Sequence, residues 1–380
     1  MEASKKKPEQ LPHMLEVLKI VEGALNADHD KVRAYTEQLV SKLSKNGDEV
    51  MARRLKRILG SSRVDGLGAT HLMPGGRIPV DSEARLSLAD EEHIELGEVK
   101  VFLNEVVSAR ISEFLRYVQH ADRLVSQGVG ISPSLLLFGP SGCGKTEVGR
   151  YVASQMALPL MTARTDALIS SYLGSTAKNI RLLFEHAMSR PCVLFLDEFD
   201  AIAKLRDDRY ELGELKRVVV SLLQNIDALD KETILIAATN HEHLLDPAVW
   251  RRFAFKVHLA EPSLDARYGL YARFLSHFSQ PDDIRMFAEI SNGLSGDDIR
   301  QLSEDSKRAA ILDESDQADP YDVIRRILDR LFVLHKMQDS DLAIRLNWLR
   351  KLNPGVFSYR RLSKLFDVST GKLSYMLRSE

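Results

Sequence analysis

The chain has 380 residues, 44% of them hydrophobic and 28% charged, with a formal net charge of −2. No apolar run approaches the roughly 20 residues that a membrane helix needs, and the near-neutral charge excludes a nucleic-acid binder that works through bulk positive charge. Two cysteines, Cys143 and Cys192, leave no disulfide framework, and no signal-like apolar stretch comes after Met1-Glu-Ala-Ser-Lys-Lys-Lys, so a cytoplasmic location is expected.

At this length more than one domain is expected. From Leu11 to Leu59 apolar residues recur at helical spacing in three bursts: Met14, Leu18, Val21, Leu25; then Val32, Tyr35, Leu39, Leu43; then Met51, Leu55, Ile58. Residues 1–60 therefore read as a small all-helical domain, either a docking module for a partner or substrate, or a collar packed on the larger domain C-terminal to it. Gly60, Gly66, Gly68, Pro74-Gly-Gly and Pro79 break up the next stretch, and 61–94 reads as a linker. A helix is expected from about Gly97 to Val125, with Val101, Val106, Ile111, Leu115 and Val118 on its apolar face.

The pattern then changes to short apolar runs with helical stretches between most of them. Leu135-Leu-Leu-Phe138, Leu158-Pro-Leu-Met161, Val193-Leu-Phe-Leu196, Ile234-Leu-Ile-Ala237 and Phe255-Lys-Val-His-Leu259 are each of strand length. That alternation predicts an α/β fold whose parallel sheet is covered on both faces.

Directly after the first strand stands Gly139-Pro-Ser-Gly-Cys-Gly-Lys-Thr146, a full match to the phosphate-binding loop in its strand-to-helix setting. Gly139, Ser141, Gly142, Cys143 and Gly144 would turn backbone N–H groups toward phosphate oxygens. Lys145 would reach the outer phosphates of ATP, Thr146 would offer Mg²⁺ a ligand, and Glu147 comes next, in the first helical turn. About fifty residues on, Val193-Leu-Phe-Leu-Asp-Glu-Phe-Asp200 ends a buried strand in acids. Asp197 is placed to hold Mg²⁺ and Glu198 to orient the attacking water. Asn240, ending the strand Ile234-Leu-Ile-Ala-Ala-Thr, could sense the γ-phosphate or help place the water. Arg251 and Arg252 are both candidates for an arginine offered to a neighbouring subunit's γ-phosphate, although one of them could simply bridge a subunit interface.

The order and spacing of these motifs closely resemble the AAA family of ATPases, which includes spastin, katanin and the FtsH-type motors, over roughly residues 95–315. The resemblance implies a doubly wound five-stranded ATPase domain over 95–260, a helical lid over 261–318 and a ring, usually of six subunits. It also implies that Tyr172 and Leu173, in Ser171-Tyr-Leu-Gly, face a central pore and grip a polypeptide. Leu294-Ser-Gly-Asp-Asp-Ile299 resembles the start of the lid helix, with Asp297 where the family commonly has Ala. A fused zinc protease would need His-Glu-x-x-His, and the nearest string, His241-Glu-His-Leu-Leu245, lacks the second histidine.

Residues 319–380 read as a helical C-terminal region. Its last part, Phe357 to Leu377, looks like a helix-turn-helix. Residues 341 to 380 carry eight Lys/Arg against three acids, an excess of five positive charges, so this tail could meet DNA. Two functions compete: a protein-remodelling motor whose N-terminal helices capture substrate, and a DNA-associated ATPase docked through the tail. The whole layout resembles stand-alone bacterial AAA ATPases found beside a subtilisin-like protease in plasmid-maintenance and phage-defence modules, which implies a partner protease that the motor regulates or feeds.

Overall fold

The computed structural model describes residues 13–25, 29–61, 78–81, 86–169, 173–203, 214–229 and 233–377. Three helices come first, α1 (Met14–Leu25), α2 (His29–Lys45) and α3 (Glu49–Ser61). α2 buries Tyr35 and Leu39 of the stripe that its spacing predicts, with Val32 and Leu43 half-buried, and it also buries Val40. α1 is turned the other way: Met14, Leu18, Val21 and Leu25 face solvent, Leu25 being 82% exposed, while Glu16 and Gly23 are buried. The Glu16 carboxylate accepts a hydrogen bond from Lys42 of α2. A carboxylate is tolerated inside only with such a partner, and this pair sets which face of α1 points inward.

After β1 (Ala89–Glu92), the helix expected over 97–125 is broken in two, α4 (Glu105–Gln119) and α5 (Ala121–Ser126). The break is at His120, whose φ of −105° and ψ of 19° leave the helical range. Strands and helices then alternate: β2 (Ser134–Phe138), α6 (Lys145–Met156), β3 (Leu160–Ala163), α7 (Thr165–Leu168), α8 (Leu173–Met188), β4 (Val193–Leu196), α9 (Asp200–Ala203), α10 (Glu214–Ala228), β5 (Ile234–Thr239), α11 (Pro247–Trp250) and β6 (Phe255–His258). The sheet order is β1-β3-β4-β5-β2-β6, with β3, β4 and β5 parallel. All five expected strands are present, and the sheet gains a sixth, β1, antiparallel to β3 at the edge.

That sixth strand falls within 61–94, the stretch expected to be linker. Its sequence, Ala-Asp-Glu-Glu, has no apolar alternation, and distant cations hold it in place. Arg150 on α6 reaches Glu92 at 2.5 Å, and the buried Arg190, just past α8, pairs with Glu91. A charged edge strand also resists pairing with another chain.

The chain divides into two units. The first, comprising 1–99, 113–137 and 149–256, is built on the sheet, with Leu136, Met161, Leu194, Leu196 and Leu235 packed against Leu183, Phe184 and Leu222 from the helices. The second comprises 100–112, 138–148 and 257–380. After β6 it is all helical: α12 (Leu264–Leu275), α13 (Pro281–Ile290), α14 (Gly296–Leu312), α15 (Pro320–Leu334), α16 (Leu342–Leu352), α17 (Tyr359–Phe366) and α18 (Thr370–Met376). Most of these helices carry their own start signals. The side chains of Ser263, Ser295, Asp319, Ser358 and Ser369 accept from amides of the first turn, and Pro281 and Pro320 stand at or next to the first helical position.

One hydrophobic core runs from Tyr271 and Phe287 through Leu331 and Leu349 to Phe357, Leu362 and Leu373. The stretches 261–318 and 319–380, distinguished in the sequence, share that core. Phe357 is fully buried in it. Phe357→Ala is expected to cost about 3–5 kcal/mol and to lower the unfolding midpoint of α12–α18 as one transition. Urea denaturation followed by Trp348 fluorescence, in a Trp250→Phe background, checks this. A tail that melts ahead of the rest would contradict a shared core.

Candidate active site

β2 leads into the loop Gly139–Thr146, which belongs to the second unit up to the first turn of α6. Gly139 has a φ of 137°, and a Cβ there would lie 2.1 Å from the carbonyl oxygen of Leu259. Gly142 has a φ of 75°, and a Cβ there would come within 2.7 Å of Ser295 Oγ. The Gly142 carbonyl also accepts from the Asp297 N–H at 3.1 Å. The loop is thus clamped between the residue after β6 and the start of α14, where Ser295 and Asp298 cap each other. Over Gly144 the space is open, with nothing within 4 Å of where a Cβ would stand.

Lys145, the first residue of α6, is only 7% exposed. Its Nζ donates to the carbonyls of Gly139 and Pro140 at 2.8 and 2.7 Å. These are neutral acceptors, and phosphate oxygens entering the loop would bind the same ammonium more strongly. The amides and dipole at the start of α6 add to that attraction. Ser141, Thr146 and Glu147 are exposed, and Gly142, Cys143 and Gly144 are partly so. Burial, and after it the Glu261 carboxylate, pushes the Cys143 thiol up, so it is protonated at neutral pH. Asp297 turns its carboxylate to Arg300 and Gln301, at 2.6 and 2.7 Å.

The acids lie in the first unit. β4 is buried along its whole length and runs into Asp197 and Glu198. Phe199, fully buried, donates its N–H to Ala238 at 2.8 Å and meets Phe253 edge-on. With the next residue pinned in this way, Glu198 is held at a φ of 48°, uncommon for any residue but glycine, and its side chain is exposed. Such strain costs on the order of 1–3 kcal/mol and clusters at functional sites. The Glu198 N–H donates to Asp197 Oδ1 at 2.9 Å. At the end of β5, the Thr239 hydroxyl donates to Asp200 at 2.7 Å and accepts from the His241 N–H at 3.0 Å. Between them Asn240 holds a buried Oδ1 with no partner among the described residues. An orphaned buried acceptor is costly, and a donor such as a bound water would satisfy it.

Arg251 and Arg252 part company. Arg252 makes a bidentate pair with Asp227, at 2.7 and 2.9 Å. Arg251 is exposed, and none of the described residues pairs with its guanidinium. Tyr172 lies outside the described residues, and Leu173 is the first residue of α8. Among the described residues no group of three or more His, Cys, Asp or Glu is placed to hold a metal ion. Mg²⁺ bound by one hydroxyl, one carboxylate and phosphate oxygens needs no such group.

Residues 135–261 match the model of the ATPase family associated with various cellular activities (AAA). The "uncharacterized AAA family ATPase y4kL" of Sinorhizobium fredii is 40% identical over 243 residues, 63% of this chain and 71% of that protein. The chain belongs to the AAA family of ATPases. It hydrolyses ATP to ADP and phosphate. A second relative of this AAA ATPase, the ATP-dependent zinc metalloprotease FtsH 3 of Symbiobacterium thermophilum, is 30% identical over 230 residues, which are 58% of this chain and 36% of that protein. Among the described residues no helix is long and apolar enough to cross a membrane.

Sequence reasoning missed Phe199, Asp227, Leu259 and Ser295. The last carried a signal, the Ser-x-x-Asp of a capping box; Leu259 carried none, because its role is to bring a carbonyl against Gly139. Gly139→Ala is expected to abolish ATP binding and lower the melting temperature, since a backbone oxygen cannot yield as a flexible side chain does. Calorimetric titration with ATP and a thermal melt check this. Binding at parental affinity would mean the clamp is looser than its geometry.

Proposed function

We propose that the chain is an ATP-driven motor that works as a ring of six and remodels a protein drawn through a central pore. The observation that carries the reading is the contrast between the two arginines. Arg252 is locked to Asp227, whereas Arg251, one residue away, stands exposed with no partner among the described residues. A subunit that must lend positive charge to a neighbour's γ-phosphate keeps such a side chain free, and a closed ring gives every site that neighbour.

In this reading Gly139, Ser141, Gly142, Cys143 and Gly144 turn N–H groups to the phosphates, and Lys145 exchanges its loop carbonyls for their oxygens. Mg²⁺, held through Thr146 and Asp197, would offset negative charge on the phosphate oxygens. Glu198 orients the water and takes its proton, while the orphaned Asn240 Oδ1 accepts from the same water. The water oxygen bonds to the γ-phosphorus, the bond to the bridging oxygen breaks, and ADP leaves with that electron pair.

Protein as the substrate is supported by the FtsH relative, whose name couples ATP to proteolysis. A separate protease, of the subtilisin-like kind implied by the layout, would then act on what the motor delivers. Tyr172 and Leu173 supply the grip, and the solvent-facing stripe of α1 fits capture of a protein substrate. The DNA-docked alternative is weakened by how the tail spends its cations. Arg345 donates to the Met337 and Gln338 carbonyls, Arg350 lies over the Tyr359 ring, Arg361 donates to the Val356 carbonyl, and Lys364 sits over Tyr321.

Light scattering of Glu198→Gln with Mg-ATP is expected to give a particle near six times the 42.8 kDa chain; a persistent monomer would remove the argument from a neighbour's arginine. Arg251→Ala is expected to lower ATP turnover by about 10³-fold or more. Arg252→Ala, which breaks a solvent-screened surface pair, should keep most of it. Equal losses in steady-state ATPase assays would refute the assignment.

A further inference from the structure

The Arg251 guanidinium has no partner among the described residues, so whatever aims it must act on its backbone. Arg251 stands at the C-terminal end of α11, where its N–H donates to the Pro247 carbonyl at 3.2 Å. α11 has four residues, too few to hold a direction by itself. It is fastened at both ends instead. Before it, Asp246 accepts from the Ala248 N–H at 2.7 Å and donates its own N–H to the Ala203 carbonyl of α9 at 3.2 Å. After it, the buried Ser134 of β2 donates its hydroxyl to the Arg252 carbonyl at 3.2 Å and accepts from the Ala254 N–H at 3.0 Å. Between those two bonds Phe253 turns inward and meets Phe199 edge-on, with ring centroids 5.7 Å apart.

The other side of this contact is the strand end that carries Glu198. Phe199 is the next residue, α9 begins one further on at Asp200, and the Glu198 carbonyl accepts from the Ala201 N–H at 2.9 Å. Phe199, Ile202, Ala203, Leu245, Val249 and Phe253 lie in one apolar cluster. Such close packing transmits strain between the groups it joins. The Arg252–Asp227 pair lies at the surface, where solvent screens it, so it is not what fixes the turn. An edge-on aromatic contact is directional, and an aliphatic side chain fills much of the same space without reproducing it.

We propose that Phe253 is a positioning residue for Arg251, and that its contact with Phe199 holds this arginine in a fixed relation to Glu198. A subunit then offers its arginine to a neighbour from the same packed block that bears its own water-orienting acid. The inference rests on the reading of Arg251 as the arginine lent to a neighbouring γ-phosphate and names the residues that aim it.

The test is a double-mutant cycle on the full chain, read by steady-state ATP turnover. Phe253→Leu should lower kcat about tenfold and leave KM for ATP within about twofold, since neither ring belongs to the loop that meets ATP. With Arg251→Ala already present, Phe253→Leu should lower kcat by less than about twofold further, because the group it acts through is gone. Amide exchange over residues 247–254 should quicken about tenfold in Phe199→Leu, although Phe199 lies on a different segment. An equal loss from Phe253→Leu in both backgrounds, or unchanged exchange in Phe199→Leu, overturns the proposal. If Phe253→Leu does not fold, Phe253→Met takes its place, with the same direction and smaller amplitude. Turnover that survives Arg251→Ala is a separate failure: it removes the lent arginine, and with it the need for anything to aim it.

Discussion

Residue 139 has no room for a side chain, and the behaviour of the second unit depends on that. Where a Cβ would be, the carbonyl of Leu259 stands 2.1 Å away, so the phosphate loop and the exit from β6 share one point. Three residues later Gly142 is pressed on Ser295 and bonded to the Asp297 N–H at the start of α14. α14 belongs to the core that continues to Phe357 and Leu373. Close-packed interiors transmit displacement instead of absorbing it. The loop, the exit from β6 and the start of α14 are thus packed with no slack at two glycines.

The polar groups at the strand ends are held at a local cost that the sheet sustains. Lys145 is a buried cation whose loop carbonyls are weaker acceptors than phosphate. Asn240 buries an oxygen that none of the described residues donates to, and Glu198 sits at a backbone angle that few non-glycine residues adopt. None of these serves the stability of the chain alone. Each is maintained by something rigid beside it: a glycine clamp, the hydroxyl of Thr239 fixed to Asp200, and the buried ring of Phe199. The apolar strands carry the stability and their carboxyl ends carry the chemistry, which is the division found across open α/β sheets.

What was legible in the sequence is what is local. The phosphate loop, the five apolar strands and the helical start signals each lie within a few residues, so pattern suffices for them. β1 was not legible, because its pairing with β3 and the cations that meet Glu92 and Glu91, 58 and 99 residues away, come from distant parts of the chain. The direction of α1 was hidden for the same reason: Glu16 finds Lys42 only 26 residues on, and periodicity says which residues share a face without saying which way it points. The two arginines read alike in sequence, and only Asp227 separates them. The expectation of a ring and a pore came from the family resemblance and not from spacing. Tyr172, on which the grip turns, lies outside the described residues.

The tail shows how composition can mislead about surface chemistry. Its excess of five positive charges reads as an electrostatic footprint. In the fold, Arg345 and Arg361 close carbonyls left open at helix ends and turns, while Arg350 and Lys364 lie on tyrosine rings. Donors committed in this way would have to leave carbonyls and rings before they could reach a phosphate, and each departure would expose part of the core around Phe357 and Leu362. The remaining described cations of the tail are Lys351, Arg360 and Lys372, against the two acids Asp341 and Asp367. The positive charge of α16–α18 is therefore chiefly a fastening for short helices, two of which, at eight and seven residues, are too short to hold together by propensity alone.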